Sequence, residues 1–317
     1  MSGKNNLTDE VRPNGFPQRP TRFSKPSRSF RTLNCRGRLI IIDHPLIMGI
    51  LNLTPDSFFD GGKFNSVDAA LKHAGQMLEE GADIIDLGAY SSRPGAEDIS
   101  EKEELKRMIP ALETIVKRFP DALISIDTFR SGVAEKALEI GAHIINDISG
   151  GNLDEALPSV AARFNAPYIC MHMRGTPQTM QQNLAVETPC MASQTTQPTE
   201  KHPTETPCMA SLQEFFVQRV PELVRQGVND VIIDPGFGFG KTLEQNYELV
   251  DRLADFAIFG KPILVGVSRK SMIQLKYGKT KEETLKGTIE VNRQLLQNGA
   301  DILRVHDVKE TVQLVNS

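Results

Sequence analysis

Eight places along the chain put polar or charged side chains at the end of a short apolar run, and these residues could do chemistry. In order they are Asn52; Ser91, Ser92 and Arg93; Asp127; Asn146 and Asp147; His172 and Arg174; Asp234; Ser268 to Ser271; and Arg304 with His306. By type they fall into two groups. Asp127, Asn146 and Asp234 are short acceptor or amide side chains, suited to a planar, nitrogen-rich heterocycle with several N–H donors. A buried carboxylate needs such donors to offset its desolvation. Asn52, Arg93, Arg304 and His306 read as a clamp for phosphate or pyrophosphate. Arg304 and His306 stand two apart on one strand, so their side chains leave the same face. The alternative for His306 is a satisfied core histidine. The alternative for Asp127 or Ser268, taken singly, is helix capping. All eight together point to a ligand site. "SRKS" (268–271), at a helix start, adds backbone N–H groups for a second anion such as a carboxylate.

"VIIDPGFGFGKT" (231–242) has the look of a nucleotide loop but lacks the spacing. A P-loop places its first glycine five residues before the Gly-Lys pair. That position is Pro235, which has no N–H to offer a phosphate. A dinucleotide fingerprint fails too, because its third glycine falls on Lys241 or Leu243. The informative residue is Asp234.

The elements that position these groups alternate along the chain. Apolar runs lie at 46–52, 83–88, 123–127, 143–147, 167–172, 231–236, 262–268 and 301–306. Near-continuous apolar strands suit a parallel sheet buried on both faces. Amphipathic segments lie between them, several ending in glycine. Eight strand–helix units predict an α/β fold, a (β/α)8 TIM barrel, with a site at the C-terminal ends of its strands. A doubly wound sheet is the alternative. "NCRGRLIII" (34–42) predicts a β-hairpin ahead of the barrel, and residues 1–32, rich in Pro, Ser and Arg, read as a disordered basic tail. Residues 33–317 then form a single domain. Within it, 184–211 reads as a low-complexity loop insertion that carries "ETPCMAS" twice, at 187–193 and 205–211.

The chain has 317 residues, 36 basic against 40 acidic, which gives no reason to expect a nucleic-acid partner. No apolar run is long enough for a membrane span and no secretory signal is evident. The four cysteines form no Cys-x-x-Cys pair, so reduced thiols in a cytoplasmic protein are expected.

Taken together, "MGILNLTPDSFFDGG" (48–62), "SSRPGA" (91–96), "SIDTFR" (125–130), "INDISGG" (145–151), "MHMRGTPQTMQ" (171–181), "IDPGFGFGKTLEQN" (233–246), "VGVSRKSMI" (265–273) and "ADILRVHDVKET" (300–311) resemble the dihydropteroate synthase family. The resemblance runs in order from Leu46 to the end and also implies a (β/α)8 barrel. It implies a transferase that joins 6-hydroxymethyl-7,8-dihydropterin pyrophosphate to 4-aminobenzoate, releasing pyrophosphate and 7,8-dihydropteroate by a dissociative route. By resemblance Asp127, Asn146, Met173, Asp234, Phe239, Gly266, Lys270 and Arg304 hold the pterin. Asn52 ligates Mg²⁺, and Asn52, Arg93, Arg304 and His306 hold the pyrophosphate. Phe58, Ser92, Pro94, Lys270 and Ser271 frame the aminobenzoate, and Asp60 stabilises the developing cation. Loops near 56–60 and 91–95 close over the site, and a homodimer through outer helices is implied. Three positions depart from the common pattern: Ser92 where relatives have Thr, Tyr90 where they have Glu, and Phe59 where Ser is frequent. Two further readings compete. A corrinoid methyltransferase shares a pterin pocket but has no use for a pyrophosphate clamp. A catalytically silent pterin-binding paralogue is the other.

Overall fold

The computed structural model describes residues 31–53, 63–91, 96, 98–176 and 206–317. It begins with an antiparallel hairpin, β1 (Arg31–Cys35) and β2 (Arg38–Ile42). The two turn residues, Arg36 and Gly37, have φ of 57° and 93°. That is the type I′ geometry whose twist matches a two-residue hairpin. Arginine is an unusual choice there. Its guanidinium donates to Leu138 O and Ala142 O at 2.7 and 2.8 Å, capping a helix end. The hairpin therefore starts at Arg31 rather than Asn34, and takes Arg31 and Thr32 from the segment read as tail. Residues 1–30 lie outside the described residues.

Eight parallel strands follow: β3 (Leu46–Asn52), β4 (Ile84–Gly88), β5 (Leu123–Asp127), β6 (Ile144–Asp147), β7 (Tyr168–Met171), β8 (Val231–Asp234), β9 (Leu264–Val265) and β10 (Ile302–Val305). They pair in the order β8-β7-β6-β5-β4-β3-β10-β9. A parallel bridge between Ile233 and Ile263 joins the two ends, so the sheet is a barrel, as expected. The seventh apolar run keeps only two residues as strand. The chain turns after it, with Lys270 N–H bonded to Val267 O at 3.1 Å, and so leaves the ladder early.

The outer layer is α1 (Lys63–Glu80), α2 (Glu101–Arg118), α3 (Ser131–Ile140), α4 (Leu157–Arg163), α5 (Pro207–Arg225), α6 (Leu243–Asp251), α7 (Ser271–Tyr277), α8 (Lys281–Gln297) and α9 (Val308–Asn316). Short polar side chains start several of them. Ser100 caps α2, and Thr242 and Thr280 form capping boxes with Gln245 and Glu283. The predicted loop 184–211 ends too late. Helix α5 begins at Pro207, with Thr206 at its N-cap, and buries Cys208 and Met209 in the core. The second "ETPCMAS" copy thus supplies a first helical turn, where proline is pre-organised. The first copy lies outside the described residues.

Strand alternation sorts the buried side chains into two layers. Ile47, Ile85, Ile124, Ile145, Ile233, Val265 and Leu303 face the helices. Met48, Ile84, Leu123, Ile144, Ile169, Ile232, Leu264 and Ile302 face the lumen, where Leu33, Cys35 and Ile42 of the hairpin plug its lower end. No described helix is long and apolar enough to cross a membrane.

Candidate functional site

On five of the eight strands the position two residues after the apolar lumen layer is polar. Asp86 follows Ile84, Ser125 follows Leu123, Asn146 follows Ile144, Asp234 follows Ile232, and Arg304 follows Ile302. One step higher stand Asn52, Asp127 and His306. The upper lumen is therefore polar on six of the eight strands, at the end where barrels of this type place their sites.

Arg304 is the hub. Its Nε donates to Asp86 Oδ2 and its Nη2 to Asp127 Oδ2, each at 2.6 Å. Asp86 Oδ2 also accepts from Asn146 Nδ2 at 3.0 Å. Burial raises the Asp127 pKa to about 7, against the lowering influence of Arg304 and with Asp86 adding to the rise. Sequence reasoning placed Arg304 on the pterin and the pyrophosphate. In the barrel its guanidinium sits between the carboxylates of Asp86 and Asp127. Asp86 was missed because only strand ends were considered. Its signal was available, since a lone acid inside the apolar run "IIDLG" has the parity of the lumen.

Lys270 lies at the start of α7. Its Nζ donates to Phe237 O at 2.6 Å and stands 4.5 Å from the centre of the Phe239 ring. Desolvation lowers its pKa to about 8, with Asp234 opposing. Asp234 Oδ1 accepts from Gly236 N–H at 2.8 Å. Burial raises the Asp234 pKa, with Lys270 the largest opposing influence. Ser268 Oγ meets both the N–H and the Nδ1 of His306, at 3.2 and 3.1 Å, and so fixes the imidazole beside Arg304. Gly266 is buried, and a Cβ there would lie 3.6 Å from Arg304 Cβ. Asn52 and Met173 are half-buried and Ser271 is exposed.

The glycine-rich stretch is explained by packing. Gly236 has φ of 73°, and a Cβ there would lie 2.0 Å from His172 O. Lys241 turns inward, only 5% exposed. Its Nζ donates to Gly236 O at 2.8 Å and Phe239 O at 3.3 Å, and meets His172 Nδ1 at 3.3 Å. Desolvation lowers its pKa to about 7. It acts as a clip that ties the turn to β7, a role no sequence signal suggested. Thr242 caps α6 rather than binding a phosphate.

Other strand-end residues proved structural. Asp147 accepts from Tyr168 Oη and from the N–H groups of Ser149 and Gly151. Arg269 pairs with Asp307. On the neighbouring rim, buried Glu104 accepts from Thr128 Oγ1 and Arg130 Nη1, and Arg130 lies over the Tyr90 and Phe129 rings. This gives the unusual Tyr90 a packing partner just ahead of "SSRPGA" (91–96). Phe58, Asp60, Ser92, Arg93 and Pro94 lie outside the described residues.

Comparison with known proteins agrees with this architecture. The family model described as "Pterin binding enzyme" matches residues 48–306. Dihydropteroate synthase of Escherichia coli K12 is 42% identical over 283 residues, covering 89% of this chain and 93% of the relative. Among solved structures, Xanthomonas albilineans dihydropteroate synthase with 4-aminobenzoic acid superposes with a TM-score of 0.77 at 34% identity, covering 90% and 96% of the two chains. Yersinia pestis dihydropteroate synthase, in a sulfonamide drug complex, gives 0.76 at 38% identity, covering 90% and 97%.

Proposed function

The chain belongs to the dihydropteroate synthase family of pterin-binding enzymes, and from that premise we propose how its barrel mouth does the family's chemistry. The activity is a transferase step of folate synthesis, joining 6-hydroxymethyl-7,8-dihydropterin pyrophosphate to 4-aminobenzoate. The observation that carries our assignment of residues is the polar layer of Asp127, Asn146, Asp234, Lys270 and Arg304 directly above an apolar lumen.

In our reading the donor-rich pterin edge lies against Asp127, Asn146 and Asp234. Lys270 bonds the ring, and Phe239 and Met173 pack on it. A dry pocket strengthens each of these bonds, because no water competes. Arg304 and His306, with Arg93, receive the pyrophosphate as its negative charge grows, which lowers the barrier to its departure. The C–O bond to the leaving group breaks, the electron-rich pterin spreads the resulting positive charge, and the aryl amine then attacks. Asp60 would steady that cation, and Phe58, Ser92, Pro94 and Ser271 would frame the aminobenzoate.

Mg²⁺ fits this mouth as an ion brought with the substrate. Among the described residues no cluster of three His, Cys, Asp or Glu could hold a metal alone. Magnesium keeps waters and takes few protein ligands, so the Asn52 carbonyl oxygen suffices beside the substrate's own oxygens. Held there, it would supply positive charge to offset that of the leaving group. We further read the protein as a cytoplasmic homodimer.

The test is pyrophosphate release from the pterin substrate with Mg²⁺, with and without 4-aminobenzoate. Release matched one-to-one by dihydropteroate is expected when both substrates are present. Pterin binding without release under either condition would favour the silent paralogue instead.

A further inference from the structure

Asp86 has no place in the roles assigned so far, yet it is the most enclosed charge of the upper lumen. Its residue is 0% exposed. One carboxylate oxygen, Oδ2, takes both Arg304 Nε and Asn146 Nδ2. The other, Oδ1, is buried without a hydrogen-bond partner. Ser125, its register partner on β5, likewise has a buried hydroxyl without one. Burying a carboxylate this deeply costs stability that an apolar side chain would avoid. One step below, six of the other seven strands place isoleucine or leucine in the lumen.

The two contacts of Asp86 differ from that of Asp127 in their consequence. A carboxylate accepts and cannot donate. Asp86 therefore fixes Asn146 with its NH₂ inward and its carbonyl oxygen free to face a ligand's N–H. It also holds Arg304 by Nε, the atom nearest the aliphatic stem, while Asp127 holds only the outer Nη2. Asp127 is partly exposed at the rim, with its side chain 16% accessible, where a ligand can compete for it; Asp86 at 0% is beyond reach.

We propose that Asp86 is a positioning residue, the fixed pivot about which Arg304 exchanges Asp127 for substrate. Pterin donors take over Asp127, Nη2 is released, and the guanidinium turns toward the pyrophosphate while Nε stays on Asp86. The Arg304–Asp127 ion pair is then a holding position. It keeps Asp127 and Arg304 placed until the substrate supplies new partners for each. Asp86 acts through Arg304 and Asn146 and takes no part in bond making.

This inference rests on the synthase reading, and its test separates the two. The kcat/KM for the pterin substrate is measured in wild type, in the isosteric variant Asp86→Asn, in Arg304→Gln, and in the double variant. Each single change is expected to lower kcat/KM at least about 30-fold, and the double variant to fall no more than about threefold below Arg304→Gln. Losses that simply multiply in the double variant would overturn the pivot, as would wild-type kinetics in Asp86→Asn. Should Asp86→Asn not fold, the wild-type protein gives the answer by NMR. The Arg304 Nε–H signal, assigned by its loss in Arg304→Gln, is expected to stay slowly exchanging before and after the pterin pyrophosphate is added. Its loss on binding would overturn the pivot. A wild-type protein without synthase activity sinks the functional reading alone, because the NMR signal still reports the Asp86 contact.

Discussion

The lower and upper halves of the lumen are built from the same strands, on the same alternating positions, and differ in almost every property. Below, Ile84, Leu123, Ile144, Ile232 and Ile302 meet the hairpin's Leu33 and Ile42 in a sealed apolar plug. Two residues later along the same strands stand Asp86, Ser125, Asn146, Asp234 and Arg304. The lower layer contributes stability by apolar burial, and its members can trade places with other apolar residues at modest cost. The upper layer sacrifices some of that stability, since buried charges are expensive even when paired. The difference teaches that a barrel divides its labour along the strand rather than between strands. A substitution's consequence should depend on its height in the lumen more than on which strand carries it.

This contrast can be broken at either end. The largest effect is expected for Asp234→Asn, which removes a charge-assisted acceptor in the upper layer. A loss of kcat/KM on the order of 100- to 1000-fold is expected, with little change in the denaturation midpoint. Steady-state kinetics beside urea unfolding would check both halves. Ile169→Ala, in the lower layer, should do the reverse. It should cost about 2–5 kcal/mol of stability through the cavity it opens while leaving kcat/KM of the folded fraction near wild type. Equal damage to both quantities in either variant would erase the distinction between the layers.

The pH profile sharpens it further. Asp127 must be ionised to accept a pterin N–H, and that charge appears as pH rises through about 7. Lys270 must be protonated to donate, and that proton is lost as pH rises through about 8. The kcat/KM of the free enzyme should therefore form a narrow bell, falling about tenfold per pH unit beyond each limb. A flat profile between pH 6 and 9 would remove these two groups from substrate capture. The smallest effect is expected at Leu39, which lies on the outer face of the hairpin at 63% exposure while Leu33 plugs the lumen at 2%. Leu39→Ser should shift stability by no more than about 0.5 kcal/mol, measured by thermal unfolding. A larger loss would mean that the hairpin's outer face is covered.

Much of this was legible in the sequence, for a physical reason. Parallel strands buried on both faces write themselves as apolar runs, so the eight units and the hairpin could be counted from "LIMGILN" to "DILRVH". Strand-end polar residues stand out against such runs, which is why Asp127, Asn146, Asp234, Arg304 and His306 could be singled out. What stayed hidden depends on contacts between distant segments. Asp86 and Ser125 sit inside their runs and become polar neighbours only when the barrel closes. Lys241 carried no role in the sequence once the nucleotide loop was excluded, and its contact with His172 exists only once β7 and β8 pair. The start of α5 at Pro207 was masked by a repeat whose composition resembles a loop, although Cys208 and Met209 begin the helix's buried stripe.

The most direct measurement is a crystal structure of the protein with pteroic acid bound. The account predicts the pterin ring in the upper lumen, bonded by Asp127, Asn146, Asp234 and Lys270, with Arg304 Nη2 withdrawn from Asp127 and Nε still on Asp86. A pterin seated elsewhere, or one bound there with the Arg304–Asp127 pair intact, would contradict it.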